Sequence, residues 1–254
     1  MRLCRLQFVA IVALGLSSLL SVSGSTAHAQ EKNDSGTQPA QSVKELRVGQ
    51  QRVGKVLFLG NSITLHSPAP QIGWTGNWGM AASAQDKDYV HLLVERITKA
   101  AGGSPQVKIK NIATFERQLT DFKLRESLKE ELDFQADLVI VAIGENASGL
   151  QTDEAKARFR TAFESLLAEL KRNGQPTLIV RSQFWADAEK DRLMRETCKA
   201  AEGVFVDISK IGADKSNYAR AERQIDHAGV AGHPGDKGMR ELAEALWLAI
   251  AATR

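Results

Sequence analysis

Cysteine is almost missing from this chain: its 254 residues hold two, Cys4 and Cys198. Cys4 lies in a segment with the marks of a signal peptide, so the processed chain keeps only Cys198 and no internal disulfide is possible. The helical context of Cys198 suits a small buried or half-buried filler. A charge excess is missing as well. The formal net charge of +3 drops to +1 once Arg2 and Arg5 leave with the signal, which leaves no basic footprint for nucleic acid. The histidines beyond residue 29 show neither His-x-x-x-His spacing nor a cysteine pairing, so no metal site is expected. The glycines of segment 66–84 stand three apart and do not open a helix after a strand, so no dinucleotide fingerprint and no cofactor are expected. The run Leu6 to Leu20 is too short, and too soon interrupted by serines, to span a bilayer securely.

What the N-terminus does contain is a processing pattern. Arg2 and Arg5 form a positive n-region, Leu6 to Leu20 an apolar h-region, and Ala27-His28-Ala29 a small-x-small cleavage site. Residues 1–29 are therefore expected to be a signal peptide, with the mature protein secreted or periplasmic and without a stable membrane anchor. Residues 30–50 are polar, with Gly36 and Pro39, and are expected to be a flexible leader. The remainder, 51–254, suits one domain with a full-sized core, since roughly 225 residues follow the signal.

Along that domain short β-rich runs alternate with longer helical ones. Strands are expected at Val56–Leu59, Val107–Ile112, Leu138–Ile143, Thr177–Val180 and Val204–Ile208. Helical faces are marked by Tyr89, Leu92, Leu93, Ile97 and Ala100, by Phe159, Phe163, Leu166, Leu167 and Leu170, and by Met239, Leu242, Ala243, Leu246 and Ile250. Thr152 is placed to cap the second of these helices. Strands separated by helices imply right-handed parallel crossovers, hence an α/β class, a three-layer α/β/α sandwich around a mostly parallel five-stranded sheet.

The chemistry is concentrated in three places. Val56-Leu57-Phe58-Leu59 runs into Gly60-Asn61-Ser62, which presents the Ser62 hydroxyl at a strand's C-terminal end, where open α/β sheets bind ligands. Gly60 is expected to allow a sharp turn there. A second apolar run ends in Gly144-Glu145-Asn146, and His233-Pro234 stands near the C-terminus. Ser62 needs a base to become a nucleophile, and His233 titrates in the right range.

With these residues the chain resembles the SGNH (GDSL-like) hydrolases. Gly60-Asn61-Ser62-Ile63-Thr64 is similar to their first block, with asparagine where aspartate is usual. Gly144-Glu145-Asn146 is similar to the third, and His233-Pro234 with Asp236 and Gly238 to the fifth. The resemblance implies a flavodoxin-like SGNH hydrolase fold and a serine esterase acting on O-acyl groups of carbohydrates, lipids or small esters. It also implies Ser62 and His233 as catalytic residues and an oxyanion hole from the Ser62 backbone N–H, the Asn146 amide and one backbone N–H after the second strand. The family's glycine at that last place is missing here, so Phe115 or Glu116 is expected to supply the donor.

A second departure is Val230, three residues before His233, where the family carries aspartate. Three repairs are open: the Val230 carbonyl orients His233, leaving a Ser–His dyad; Asp226 reaches back as third triad member; or Glu145 or Glu116 approaches from a neighbouring strand exit. Trp74 and Trp78 in the long glycine-rich loop, and Trp185 after the fourth strand, are expected to line a cleft for a small-molecule or glycan ester. Two alternatives stand beside the carbohydrate esterase: a catalytically silent carbohydrate-binding or scaffold protein, and a lysophospholipase or lipase-like esterase.

Overall fold

The computed structural model describes residues 45–253; the segment 1–29 expected to be a signal peptide and the expected leader as far as residue 44 lie outside the described residues. Arg47–Val48 (β1) and Gln51–Arg52 (β2) pair antiparallel. The folded unit thus begins before residue 51, earlier than composition implies, because Val48 and Val53 are apolar and buried in the core.

Lys55–Gly60 (β3), Gln106–Asn111 (β4), Leu138–Ala142 (β5), Thr177–Arg181 (β6) and Val204–Val206 (β7) form one sheet in the order β4-β3-β5-β6-β7. Every pairing in it is parallel. The inner strands are uninterrupted apolar runs because both of their faces are covered. Side chains alternate between those faces. Leu57, Leu59, Val139 and Val141 join a core with the Asp153–Arg172 helix and with Leu193, Met194 and Cys198 of the Ala188–Ala200 helix. Val56, Phe58, Leu138 and Ile140 turn the other way, onto the Tyr89–Ala101 and Asp236–Ala252 helices. These two cores complete the three-layer α/β/α sandwich. Burial raises the Cys198 thiol to about 11 and leaves it an inert filler.

Element ends follow local chemistry. Asp88 accepts the His91 N–H at the start of Tyr89–Ala101, and Gly102, with φ 69°, closes that helix. Thr152 accepts the Ala155 N–H as the cap of Asp153–Arg172. β7 stops short of the expected Ile208 because the Ile208 N–H turns away to the Ser182 hydroxyl at 2.8 Å. The chain leaves β3 for β4 on one side and returns to β5 on the other. The C-terminal ends of these three neighbours therefore meet at a switch in strand order, where such sheets form clefts. No described helix is long and apolar enough to cross a membrane.

Candidate active site

Ser62 stands in the turn immediately beyond β3. A Cβ on Gly60 would fall 1.8 Å from the Thr64 hydroxyl, so glycine is needed for close approach of the turn to the strand end, not for an unusual backbone angle. Asn61 shapes the turn: its Oδ1 accepts the Ile63 N–H at 3.1 Å, and its carbonyl accepts those of Thr64 and Leu65. The Ser62 N–H has no partner among the described residues.

The Ser62 hydroxyl lies 2.8 Å from His233 Nε2. His233 Nδ1 lies 2.7 Å from the Gly229 carbonyl, which can only accept, so Nδ1 carries the hydrogen and Nε2 faces serine as a base. The Val230 carbonyl is taken by the backbone N–H of His233 itself, at 3.0 Å. The orienting group is thus a backbone carbonyl, but one residue earlier than Val230. The short Ala228–Ala231 helix turns Gly229 toward the ring. Burial is the main influence on His233 and holds it below its ordinary 6.5, so the imidazole is neutral at neutral pH.

None of the three carboxylates considered as partners of His233 bonds the histidine. Asp226 is exposed and lines an adjoining surface hollow with Gln71 and His227. The Glu145 carboxylate is buried, its Oε1 2.6 Å from Arg181 Nη1. Phe115 and Glu116 do not offer free backbone donors either, since both N–H groups go to the Ile112 carbonyl in the Ala113–Gln118 helix. Glu116 instead sends its side chain inward. Thr114, at the second position of that helix, has no carbonyl of the helix behind its N–H and lines the cavity.

Ser62 and His233 open into a cavity of about 350 Å³, lined further by Asn111, Ala113, Thr114, Arg117 and Asn146, with His66 and His227 at its side. Gly144, with φ 117°, ends β5 in a conformation that favours glycine and carries the chain to Asn146. Asn146 Oδ1 accepts from Arg117 Nη2 at 3.0 Å. An arginine only donates, so the oxygen must face it and the amide NH₂ points elsewhere.

The tryptophans behave differently from expectation. Trp74 and Trp78 pack edge to face at 5.6 Å, and their indole N–H groups are spent on the carbonyls of His66 and Ala82. They brace the loop from within and do not line the cavity. Trp185 meets the His233 ring edge-on at 5.0 Å and donates to the Gly232 carbonyl, so it buttresses the histidine. Arg117, Thr114, His66 and the Gly229 carbonyl have no motif in the sequence. The one legible hint was Arg181, a lone charge ending an apolar strand. Among the described residues no group of three His, Cys, Asp or Glu is placed to hold a metal ion.

No protein-family model matches the sequence, and no curated protein matches it. Solved structures do. A protein from Bacteroides uniformis described as a GDSL-like lipase superposes with a TM-score of 0.52 at 14% identity, over 82% of this chain and 100% of that one. One from Bacteroides ovatus, described likewise, gives 0.51 at 12% identity over 80% and 100%. The acetyl xylan esterase AlAXEase gives 0.50 at 17% identity over 77% and 99%. The chain has the SGNH (GDSL-like) hydrolase fold.

Proposed function

We propose that this protein is a serine esterase working with a Ser–His dyad. The observation that carries the reading is the Ser62–His233–Gly229 relay: a hydroxyl at 2.8 Å from a histidine nitrogen whose partner nitrogen is fixed at 2.7 Å by a carbonyl. In this mechanism His233 Nε2 takes the Ser62 proton as Oγ bonds to the ester carbonyl carbon. The oxygen of the tetrahedral intermediate gains the charge and accepts hydrogen bonds from the Ser62 N–H, the Asn146 amide and the Thr114 N–H. Collapse expels the alcohol, which takes the proton from His233. A water deprotonated by the same nitrogen then bonds to the acyl carbon, and collapse breaks the bond to Ser62 Oγ, which takes the proton back from His233 as the acid leaves.

The cavity is of mixed character, with Asn111, Arg117, Asn146 and two further histidines beside Ile72, Met80 and Val230. Its modest volume of about 350 Å³ and its polar groups support short O-acyl groups such as acetyl on a polar alcohol, including a carbohydrate, ahead of long lipid chains. Export is part of the proposal and rests on the N-terminal sequence pattern. The experiment is hydrolysis of a short-chain activated ester by the purified mature protein and by Ser62→Ala. Activity in the first and its loss in the second is expected. A wild-type protein without activity, or an active variant, rejects the reading.

A further inference from the structure

Beneath the cavity lies a group of buried polar side chains that the dyad does not use. Glu116 lies in the segment after the second strand from which the family's glycine is missing, and Asn61 stands where the resemblance leads one to expect aspartate. The two exchanges belong together. Asn61 Nδ2 donates to Glu116 Oε1 at 3.0 Å and to Glu145 Oε2 at 2.7 Å. An aspartate there would set a third carboxylate against two others, whereas an amide NH₂ joins them. Glu116 Oε2 accepts the backbone N–H of Gly144 at 3.2 Å and that of Asn146 at 2.5 Å. Glu145 in turn accepts from Arg181 Nη1 and from the Phe184 N–H.

We infer that Glu116 is a positioning residue for ester hydrolysis: its ionised carboxylate pins the Gly144–Asn146 segment from below while Arg117 fixes the Asn146 amide from the side, so that its NH₂ meets the oxyanion. This deepens the esterase reading and rests on it. The charges facing Glu116 are Glu145 from the loop after β5 and, beyond it, Arg181 from β6, with Tyr89 near Arg181; Arg117 points away into the cavity. Arg181 directs its charge at Glu145, so Glu116 has no cation of its own. Every partner of the Glu116 carboxylate is a donor, and a proton on either oxygen would meet a donor instead of an acceptor. Burial first, and the Glu145 charge second, raise Glu116 to about 7. The clamp therefore forms as pH rises through neutrality, while burial holds His233 below its ordinary 6.5, so that the imidazole loses its proton at lower pH than Glu116.

The test is an NMR pH titration of the wild-type protein between pH 5 and 9, followed by the same titration of Glu116→Gln. In wild type the Gly144 and Asn146 amide resonances should move together with a midpoint near 7, and one glutamate side-chain carboxyl should share that midpoint. In E116Q the common movement should vanish while the His233 ring still titrates. Turnover of a short-chain ester should fall up to about 10²-fold in the variant with KM nearly unchanged, and the acid limb of kcat should move down to that of His233. Amides that do not titrate together, a carboxyl with a different midpoint, or the same titration in E116Q would each overturn the inference. The wild-type titration alone decides if E116Q does not fold. A protein whose amides titrate as described but which hydrolyses no ester would reject the esterase reading and leave the clamp standing.

Discussion

Ser62 and His233 meet across 171 positions of sequence, and in the proposed mechanism the group that orients the histidine is a carbonyl rather than an acid. A backbone carbonyl fixes the tautomer and ring orientation but supplies no full negative charge to the imidazolium that forms. Carboxylates near the site should therefore be dispensable as triad members. Asp226→Asn is expected to retain most activity in a kcat measurement, whereas a true aspartate partner costs about 10⁴ on amide replacement; a loss approaching that size would reinstate a triad. Asn146→Ala should lower kcat by about 10²–10³ with a small change in KM, as for loss of one oxyanion donor. An unchanged kcat would place Asn146 outside the hole. Glu116 also makes a stability prediction. Its folded-state value is raised from 4.5 to about 7, so the folded state holds the proton more tightly than the unfolded chain. Its contribution to stability is complete below about 4.5 and is lost as pH rises through about 7. Thermal melts from pH 4.5 to 8 should show wild-type Tm declining relative to Glu116→Gln over that window, and parallel curves would refute it.

Whole elements show which local features are indispensable. The β3 turn leaves no room for a methyl group at Gly60, where a Cβ would lie 2.5 Å from the Thr64 Cβ and closer still to its hydroxyl. Gly60→Ala should displace Ser62 and abolish hydrolysis even where circular dichroism reports a folded protein; an active variant would show that the turn has slack. Thr152 is a simpler case, an exposed cap that does not line the cavity. Thr152→Ala should cost about 1 kcal/mol in chemical denaturation and leave kcat unaltered. The segment before the first long helix is fastened at several points: Asp88 accepts the Gly79 N–H at 3.0 Å, and Asp236 accepts the Ser83 N–H and hydroxyl. Its tryptophans fill this bracing and do not line the cavity.

Across the whole molecule, the architecture was legible because burial on two faces writes continuous apolar runs, and amphipathic helices write a 3.6-residue period. All five strands of the parallel sheet and the three apolar helical faces stand where those patterns fall. The Ser62 and His233 positions were legible from short motifs at strand and loop ends. What escaped reading depends on backbone and on tertiary approach: the choice of Gly229 over Val230, the inward turn of Glu116, and Arg117 beside Asn146. None of these leaves a spacing in the sequence, since a carbonyl belongs to every residue and the contacts join segments far apart. The inward packing of Trp74 and Trp78 escaped for a similar reason, as an indole looks alike in a cleft and in a core. The central claim is that His233 activates Ser62 as a covalent nucleophile. Mass spectrometry after reaction with a serine-directed fluorophosphonate tests it most directly. The account expects a single adduct on Ser62 in the wild-type protein and almost none in His233→Ala over the same time; an adduct on another residue, or equal labelling without His233, would contradict it.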